Sequence, residues 1–356
     1  MTKTLFVVAA GSGGHILPAL VLAQEWQTAN PTGQVIFIGS GATLDAKIVA
    51  SHPFIAHALS LSLDKFSIKK FWLYPKVIYQ IIKAFIKSRS YITRYQPEKI
   101  ICTGGLIALP MSIAARQKKV PVDLYELNVE PGKAVRALMP FASRILITFA
   151  QTKQYCRFFG IDYAYKCDVV PYPLRFTQAD KKFDKSEILN RINTVTTDKN
   201  NLFSEKRKTI FIVGGSQGSV FLNNLFKQFI EEHHSIASSI QVIHQTGSQH
   251  AVNWHEFYAQ ANIPAYTFGY DERIKDYYLL SDLIICRAGA GTLFEIEFFE
   301  KKCLVIPLIA QTTGHQIENA QALAEKHPTL FHVLKQHDIA KNFDLFSDTI
   351  LRLLVR

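Results

Sequence analysis

Short apolar runs, each ending in glycine or another small residue, recur along the chain. The run at residues 5–10 leads into a loop with glycines at positions 11, 13 and 14, and a helical pattern follows from Pro18. The run at 209–213 leads into a second loop at 214–219, and again a helical pattern follows. Uninterrupted apolar runs are typical of buried parallel strands, and proline is favoured in the first turn of a helix. We therefore predict strand, tight loop and helix at the opening of each half.

The alternation continues over most of the chain. Further strands are predicted at residues 35–38, 100–102, 122–125, 144–148, 240–244, 266–270, 282–286 and 303–307. Strands that alternate with helical patterns imply βαβ units, so the predicted fold class is α/β with parallel sheets. Ligands of such sheets collect beyond the carboxyl ends of the strands, where both glycine loops, Gly104 and Asn128 fall.

A polar stretch at residues 178–208, rich in Lys, Asp, Asn and Thr, breaks this pattern. A chain of 356 residues is long enough for two domains. We expect an N-terminal domain over 1–177, a linker or surface insertion over 178–208, and a second domain over 209–336. A C-terminal helix is expected within 337–356, packing back toward the first domain.

Composition narrows the class of protein. The five cysteines form no C-x-x-C pair, so we expect buried thiols, with neither a disulfide framework nor a zinc site. No apolar stretch approaches the ~20 residues that a membrane span needs, and we expect a cytoplasmic protein. The net charge of +11 suits nucleic acid, a polyphosphate ligand or an anionic membrane face. Because no nucleic-acid-binding signature accompanies the charge, we expect one of the other two partners.

The glycine loops are candidate sites for phosphate or a polar substrate, because their backbone can approach a ligand closely and the next helix start attracts anions. The first loop has Ile16 where a dinucleotide fingerprint needs its third glycine, and neither loop has the Gly-Lys-Ser/Thr of a P-loop. Two ordinary strand-to-helix turns remain the alternative. His15 lies at the rim of the first loop and is a candidate general base, since histidine suits that role near neutral pH.

Two further segments carry candidate chemistry. Glu295 lies one turn into the helix that follows the strand at 282–286, where a carboxylate could accept two ribose hydroxyls or could merely complement the helix dipole. The segment 67–87 combines aromatic residues with an apolar helical stripe and a stripe of lysines. Such a segment suits contact with an anionic membrane surface, although a core-packing helix with a solvated basic face would show the same pattern.

Four motifs, in their order along the chain, resemble one family. They are residues 11–15 with 18–20, 214–218, 287–290 with Glu295, and 315–320. Over essentially the whole chain they resemble the MurG family, peptidoglycan glycosyltransferases of glycosyltransferase family 28. This family transfers N-acetylglucosamine from UDP-N-acetylglucosamine to undecaprenyl-pyrophosphoryl-MurNAc-pentapeptide (lipid I), giving lipid II. The resemblance implies the GT-B fold, in which two Rossmann-like domains with parallel sheets face across a cleft, the first holding the acceptor and the second the donor.

The resemblance also implies roles for individual residues. It places the donor uracil against Tyr270, the ribose on Glu295 and the sugar hydroxyls on Gln316. The diphosphate would meet Arg175, Ser216, Ala290, Gly291 and Thr292, with Leu293 and Phe294 beside them, and Ser12, Gly13, Gly14 and Asn128 would line the acceptor side.

The expected mechanism uses no metal and no cofactor. No Asp-x-Asp motif is present, so the charge of the departing UDP must fall to helix N-termini, Arg175 and hydroxyl groups. His15 would deprotonate the acceptor hydroxyl, and a single displacement would invert the configuration of the sugar.

Membrane contact is a further expectation, because members of the family dock on the inner face of the cell membrane. The residues expected to make it are Ile68, Lys69, Lys70, Phe71, Trp72, Lys76 and Lys83. The expected partners are UDP-N-acetylglucosamine, lipid I and an anionic membrane surface, with cell-wall synthesis proteins as candidates and no nucleic acid.

Several residues depart from the family's pattern, mostly on the acceptor side. They are Ser12, Leu106, Tyr125, Leu127, Tyr172 and Thr313. These departures keep three alternatives open: a related transferase with another lipid acceptor such as diacylglycerol, a UDP-N-acetylglucosamine epimerase, and a binding module without turnover.

Overall fold

The computed structural model describes residues 2–10, 13–41, 51–63, 74–196, 201–215, 218–247, 252–309 and 315–355. The chain divides into two units, Met1–Arg175 and Phe176–Arg356. The division falls slightly before the position that the polar stretch predicts. Within the described residues, no helix is both long and apolar enough to cross a bilayer.

The first unit is a parallel sheet covered by helices. Its strands are Thr4–Val8 (β1), Gln34–Gly39 (β2), Ile55–Ser60 (β3), Lys99–Cys102 (β4), Val122–Glu126 (β5), Arg144–Ile147 (β6), Arg157–Phe158 (β7), Ile161–Asp162 (β8) and Cys167–Val169 (β9). Its α-helices are Gly13–Ala29 (α1), Tyr74–Tyr95 (α2), Ala108–Gln117 (α3) and Lys133–Leu138 (α4), with 3-10 turns at Ala150–Tyr155 and Ala164–Lys166. The seven-stranded sheet has the order β3-β2-β1-β4-β5-β6-β9, and β7 and β8 form an antiparallel hairpin.

Both faces of this sheet are buried, which explains the uninterrupted apolar runs. Within β1, Phe6 and Val8 share a core with residues of α2, α3 and α4, while Leu5 and Val7 pack in a second core with residues of α1. Successive side chains of a strand point to opposite faces, so a strand that is apolar at every position needs cover on both sides. The predicted α/β fold with parallel sheets is confirmed.

The second unit repeats the plan. Its strands are Lys208–Val213 (β10), Ile240–Gln245 (β11), Ala265–Phe268 (β12), Leu283–Cys286 (β13), Cys303–Val305 (β14) and Phe331–Val333 (β15), in the order β12-β11-β10-β13-β14-β15. Its α-helices are Lys185–Val195 (α5), Val220–Glu232 (α6), Trp254–Gln260 (α7), Ile274–Leu280 (α8), Ala290–Phe299 (α9), His315–Lys326 (α10), Gln336–Lys341 (α11) and Asp344–Val355 (α12). Two 3-10 turns, Gln178–Lys181 and His234–Ser238, complete it.

The stretch expected to be a linker or insertion belongs to this second unit. Its helix α5 buries Ile188, Leu189 and Ile192, and Arg191 forms an ion pair of 3.3 Å with the buried Asp276 of α8. A narrow apolar stripe is enough to fix a short helix against a neighbour, although it leaves the sequence polar on average. The expectation of an unpacked linker is therefore wrong for the described part of 178–208.

The C-terminal residues also correct an expectation. They form two helices, and Phe346, Ile350 and Leu353 of α12 are buried in the core of the second unit. The apolar face of α12 therefore packs within its own unit rather than toward the first domain as expected.

The helix after the first glycine loop begins earlier than its proline suggests. Helix α1 starts at Gly13 and contains Pro18. Gly13, Gly14 and His15 therefore form its first turn, directly beyond the carboxyl end of β1. This places His15 at the edge of the sheet where parallel α/β folds bind their ligands.

Candidate active site

His15 is held by the residue that follows the neighbouring strand β4. Its Nδ1 lies 2.7 Å from the carbonyl oxygen of Thr103, and the Thr103 hydroxyl donates back to the carbonyl of His15 at 2.8 Å. A carbonyl oxygen only accepts hydrogen bonds, so Nδ1 must carry the proton. The neutral ring then has its basic lone pair on Nε2, which is the tautomer a general base needs.

Gly104 shapes the pocket of this ring. It has φ +124°, and a Cβ built there would lie 2.9 Å from both Cε1 and Nδ1 of His15. No side chain fits between this strand end and the imidazole. The position therefore requires glycine for its backbone conformation and for the space that His15 occupies.

A buried glutamate at the end of β5 holds the predicted acceptor residue Asn128. Glu126 Oε1 accepts hydrogen bonds from the backbone N–H of Asn128 at 2.8 Å and from its side-chain amide at 3.1 Å. Burial raises the pKa of Glu126 to about 7, although these hydrogen bonds oppose the rise. Strand β5 pairs with β4, so Glu126 and Asn128 lie at the same edge as Thr103 and Gly104. The sequence singled out Asn128 and missed the carboxylate that orients it.

The second glycine loop joins β10 to α6. A Cβ on Gly218, whose φ is +75°, would lie 2.6 Å from the Cα of Gly247, so the loop packs directly on the end of β11. Ser219 caps α6, because its Oγ accepts a hydrogen bond from the backbone N–H of Leu222 at 3.4 Å. Ser12 and Ser216, the predicted hydroxyl contacts of the two glycine loops, lie outside the described residues.

The predicted ribose residue is oriented by a buried tyrosine. Glu295 lies on α9, and its Oε2 accepts a hydrogen bond of 2.8 Å from the hydroxyl of Tyr278 on α8. Ala290, Gly291 and Thr292 form the first turn of α9, where backbone N–H groups point out of the helix. Leu293 and Phe294 are buried in the core, so only their backbone is placed to meet a ligand.

Tyr270, predicted to meet the uracil, is 72% exposed. The next residue, Asp271, accepts hydrogen bonds from the hydroxyls of Tyr266 at 2.8 Å and Tyr277 at 2.5 Å. Arg273 adds a bidentate pair to the same carboxylate at 2.8 and 3.1 Å. These contacts hold the pKa of Asp271 well below its ordinary value despite partial burial. The network fixes the backbone from which Tyr270 projects.

Two predicted donor contacts lie elsewhere. Gln316 is in the first turn of α10, and its Oε1 accepts the backbone N–H of Leu308 at 2.9 Å, which leaves its amide nitrogen as the group that could donate to a ligand. Arg175 is exposed and is the last residue of the first unit.

The basic amphipathic segment is the helix α2 from Tyr74 onward. Its inner side buries Ala84, Ser88 and Ile92. On the opposite side, four large apolar side chains are 53–64% exposed: Ile78, Tyr79, Ile82 and Ile86. Lys76 and Lys83 are exposed beside them. Ile68, Lys69, Lys70, Phe71 and Trp72 lie outside the described residues.

Family models match both units. The glycosyltransferase family 28 N-terminal domain matches residues 5–147, and the glycosyltransferase family 28 C-terminal domain matches residues 209–342. The two matches follow the family's order and together occupy most of the chain. The chain belongs to glycosyltransferase family 28.

Relatives and solved structures agree with membership of family 28. A protein of Trichlorobacter lovleyi named UDP-N-acetylglucosamine–N-acetylmuramyl-(pentapeptide) pyrophosphoryl-undecaprenol N-acetylglucosamine transferase is 29% identical, over 90% of this chain and 83% of its own. A crystal structure of MurG from Acinetobacter baumannii has a TM-score of 0.70 at 21% identity, over 99% of this chain and 91% of that one. A UDP-GlcNAc 2-epimerase from Neisseria meningitidis, bound to UDP-GlcNAc, has a TM-score of 0.55 at 14% identity, over 92% of each chain. The structural likenesses show the GT-B fold, which confirms that prediction.

A fold shared by a transferase and an epimerase does not by itself choose between the two activities. In family 28 the choice for this chain therefore has to come from its residues. Among the residues that the structure describes, no group of three or more His, Cys, Asp or Glu side chains is arranged to hold a metal ion.

Proposed function

We propose that this chain transfers N-acetylglucosamine from UDP-N-acetylglucosamine to lipid I and so forms lipid II. Family 28 membership and the names of its relatives support the reaction class and both substrates. The observation that carries the chemistry is the fixed tautomer of His15, with Nδ1 held by the Thr103 carbonyl. A base locked in this form is ready to accept a proton on Nε2 without first changing tautomer.

The second unit would hold the donor. Tyr270 offers an exposed ring to the uracil, and Glu295, oriented by Tyr278, offers a carboxylate to the ribose hydroxyls. The start of α9 offers backbone N–H groups to the diphosphate. These groups match the charge that develops on UDP as it leaves, so the proposed mechanism uses no metal ion.

The first unit would activate the acceptor. His15 Nε2 removes the proton from the acceptor hydroxyl while the oxygen attacks the anomeric carbon. The bond from that carbon to the UDP oxygen breaks, and UDP leaves with the electron pair. Attack from the side opposite the leaving group inverts the configuration and gives a β-linkage. Glu126 holds Asn128 at the same edge, where the amide is placed to orient the acceptor.

Turnover with UDP-N-acetylglucosamine and a short-chain lipid I analogue tests the proposal. The wild-type chain should form the disaccharide product, and His15→Gln should reduce kcat by about 10²–10⁴-fold while UDP affinity stays within twofold, because a general base contributes that much. Parallel reactions with diacylglycerol, and with no acceptor, separate the alternatives. Product only with diacylglycerol, or release of UDP-N-acetylmannosamine without an acceptor, would refute the lipid I assignment.

We also propose that α2 contacts the cytoplasmic face of the cell membrane. Four exposed apolar side chains on one helix are costly in water, and α2 contains no acidic residue to weaken attraction to anionic lipid. Each apolar side chain that enters the interface contributes about 1.5–3 kcal/mol, and each lysine near anionic lipid about 1 kcal/mol.

Vesicle co-sedimentation tests the membrane contact. The double variant I82D/I86D should lose binding to phosphatidylglycerol vesicles but keep its turnover with a water-soluble acceptor analogue. The matched control is Val195→Asp, which places the same charge at an exposed apolar position of the second unit. Equal vesicle binding by I82D/I86D and wild type would contradict the assignment of α2.

A further inference from the structure

Arg287 is a buried cation at the carboxyl edge of the second sheet. It follows β13 directly and is only 7% exposed. Its Nε donates to the Ser219 hydroxyl at 3.0 Å, and its Nη1 donates to the carbonyl of Ile306 at 3.0 Å and to Gln336 Oε1 at 3.2 Å. The guanidinium also lies 5.0 Å from the centre of the Phe221 ring. One side chain thus joins the glycine loop after β10, the end of β14 and helix α11.

Every hydrogen-bond acceptor of this guanidinium in the described structure is neutral. Among the described residues, no carboxylate lies within 4.0 Å of Arg287, whereas Arg144, Arg191 and Arg273 each have an acidic partner. Burial lowers the pKa of Arg287 to about 10, which leaves it cationic at neutral pH. Burying a charge without a counter-charge costs folding free energy. A structural role alone could be filled by a neutral donor such as glutamine.

The position of Arg287 gives this charge a use. Strand β13 pairs with β10, so the glycine loop that leads to Ser219 and the start of α9 lie side by side at one edge. Arg287 contacts the first through Ser219 and precedes the second by three residues in sequence. Both helix starts direct N–H groups outward and attract anions. A fixed cation behind them adds to the same positive field, in surroundings where burial reduces screening.

We propose that Arg287 is the built-in counter-charge for a nucleoside diphosphate bound at this edge. It acts from behind the loop, by its field and by holding Ser219, rather than as a direct ligand. The inference rests on the proposed function, because it assumes that the second unit binds UDP and its sugar derivative. It adds a residue whose contribution should scale with the number of phosphates on the ligand.

A binding series with three ligands and the full-length chain tests this role. Calorimetry or competition would measure the affinity for UDP, UMP and uridine in wild type, Arg287→Gln and Arg287→Lys. Gln can still donate hydrogen bonds but carries no charge, and Lys keeps the charge but loses the planar fork. We expect Arg287→Gln to weaken UDP by about ten- to a hundredfold, UMP by less and uridine by less than about twofold. Arg287→Lys should recover most of the UDP affinity.

Arg207 provides the matched control. It precedes β10 at the opposite edge of the same sheet, where its Nη1 donates to the carbonyls of Ala237 at 2.6 Å and Ile240 at 3.0 Å. A six-residue strand separates the edges by roughly 20 Å, so Arg207→Gln should leave all three affinities unchanged. Circular dichroism melts of each variant would identify any that fail to fold.

Two results would overturn the inference. One is an equal loss of UDP and uridine affinity in a folded Arg287→Gln variant, which would indicate a structural role only. The other is an equal loss in the Lys and Gln variants, which would mean that the charge itself is not what matters. Failure of lipid I turnover with the phosphate series intact would refute the proposed transfer and leave the role of Arg287 standing. A wild type that binds UDP no better than uridine would refute both.

Discussion

Gly104→Ala is the sharpest test of the His15 site, because it changes neither a charge nor a hydrogen-bonding group. The new methyl group would start 2.9 Å from two ring atoms of His15, against an ordinary carbon contact distance of about 3.5–4.0 Å. The ring must therefore move by roughly 0.5–1 Å. That movement has to stretch the 2.7 Å hydrogen bond from Nδ1 to Thr103 or tilt the ring away from it.

Two costs can be separated in this substitution. An alanine at φ +124° carries backbone strain of about 1–3 kcal/mol, which lowers stability. Displacement of a catalytic group by about 1 Å costs up to about 10²-fold in turnover, which lowers activity independently of stability. We therefore expect kcat/KM for lipid I to fall by about 10²-fold with UDP affinity unchanged.

Gly160→Ala is the control for the first cost. Gly160 also has positive φ, +78°, but nothing lies within 4 Å of a Cβ built there. It should lose stability in urea unfolding and keep full kcat/KM. If a folded Gly104→Ala enzyme keeps kcat/KM within about twofold of wild type, His15 either does not act at its observed position or is not the base.

Three further predictions concern buried polar groups. Tyr278→Phe should weaken UDP about tenfold in calorimetry and leave 2′,3′-dideoxy-UDP unchanged, because Glu295 loses a 2.8 Å donor; equal effects on both ligands would contradict this. The Glu126 carboxyl has a folded pKa of about 7 against 4.5 when unfolded, so it should lower the unfolding free energy by up to ~3 kcal/mol as the pH rises from 5 to 7. Glu126→Gln should flatten that slope, and an unchanged slope would rule out the buried carboxyl as its source. Burial lowers the pKa of His244 to about 3 from 6.5, so stability should fall by up to ~1.4 kcal/mol per pH unit below 6.5 in urea titrations, unless His244→Gln is present; the same fall in that variant would contradict it.

The hydrophobic pattern was sufficient for the sheets, because a strand buried on both faces has to be apolar at every position. Strand β10 was predicted at 209–213 and is found at Lys208–Val213. The pattern failed where burial is partial. Helix α5 needs only three apolar residues to pack, so its sequence is polar on average, and the amphipathic α12 gave no information about which core covers it.

The site divides in the same way. Glycines and a histidine after a strand are visible as a motif, whereas Glu126 and Arg287 act through partners that are distant in sequence or on another strand. Arg287 meets Ser219, Ile306 and Gln336, which only the folded sheet brings together. A buried polar network has no period in the sequence, so its signal lies in tertiary contacts alone.

The two buried ionisable groups give the strongest physical argument that these edges are functional. Glu126 in the first unit and Arg287 in the second are each nearly inaccessible, and the pKa of each is shifted toward the neutral form by burial. Either residue would cost less folding free energy as a neutral side chain of similar size. Both lie beyond the carboxyl ends of central strands, at the edge where parallel sheets bind their ligands. Groups that oppose folding and yet gather at the ligand-binding edge are best explained by charges and protons that the bound substrates require.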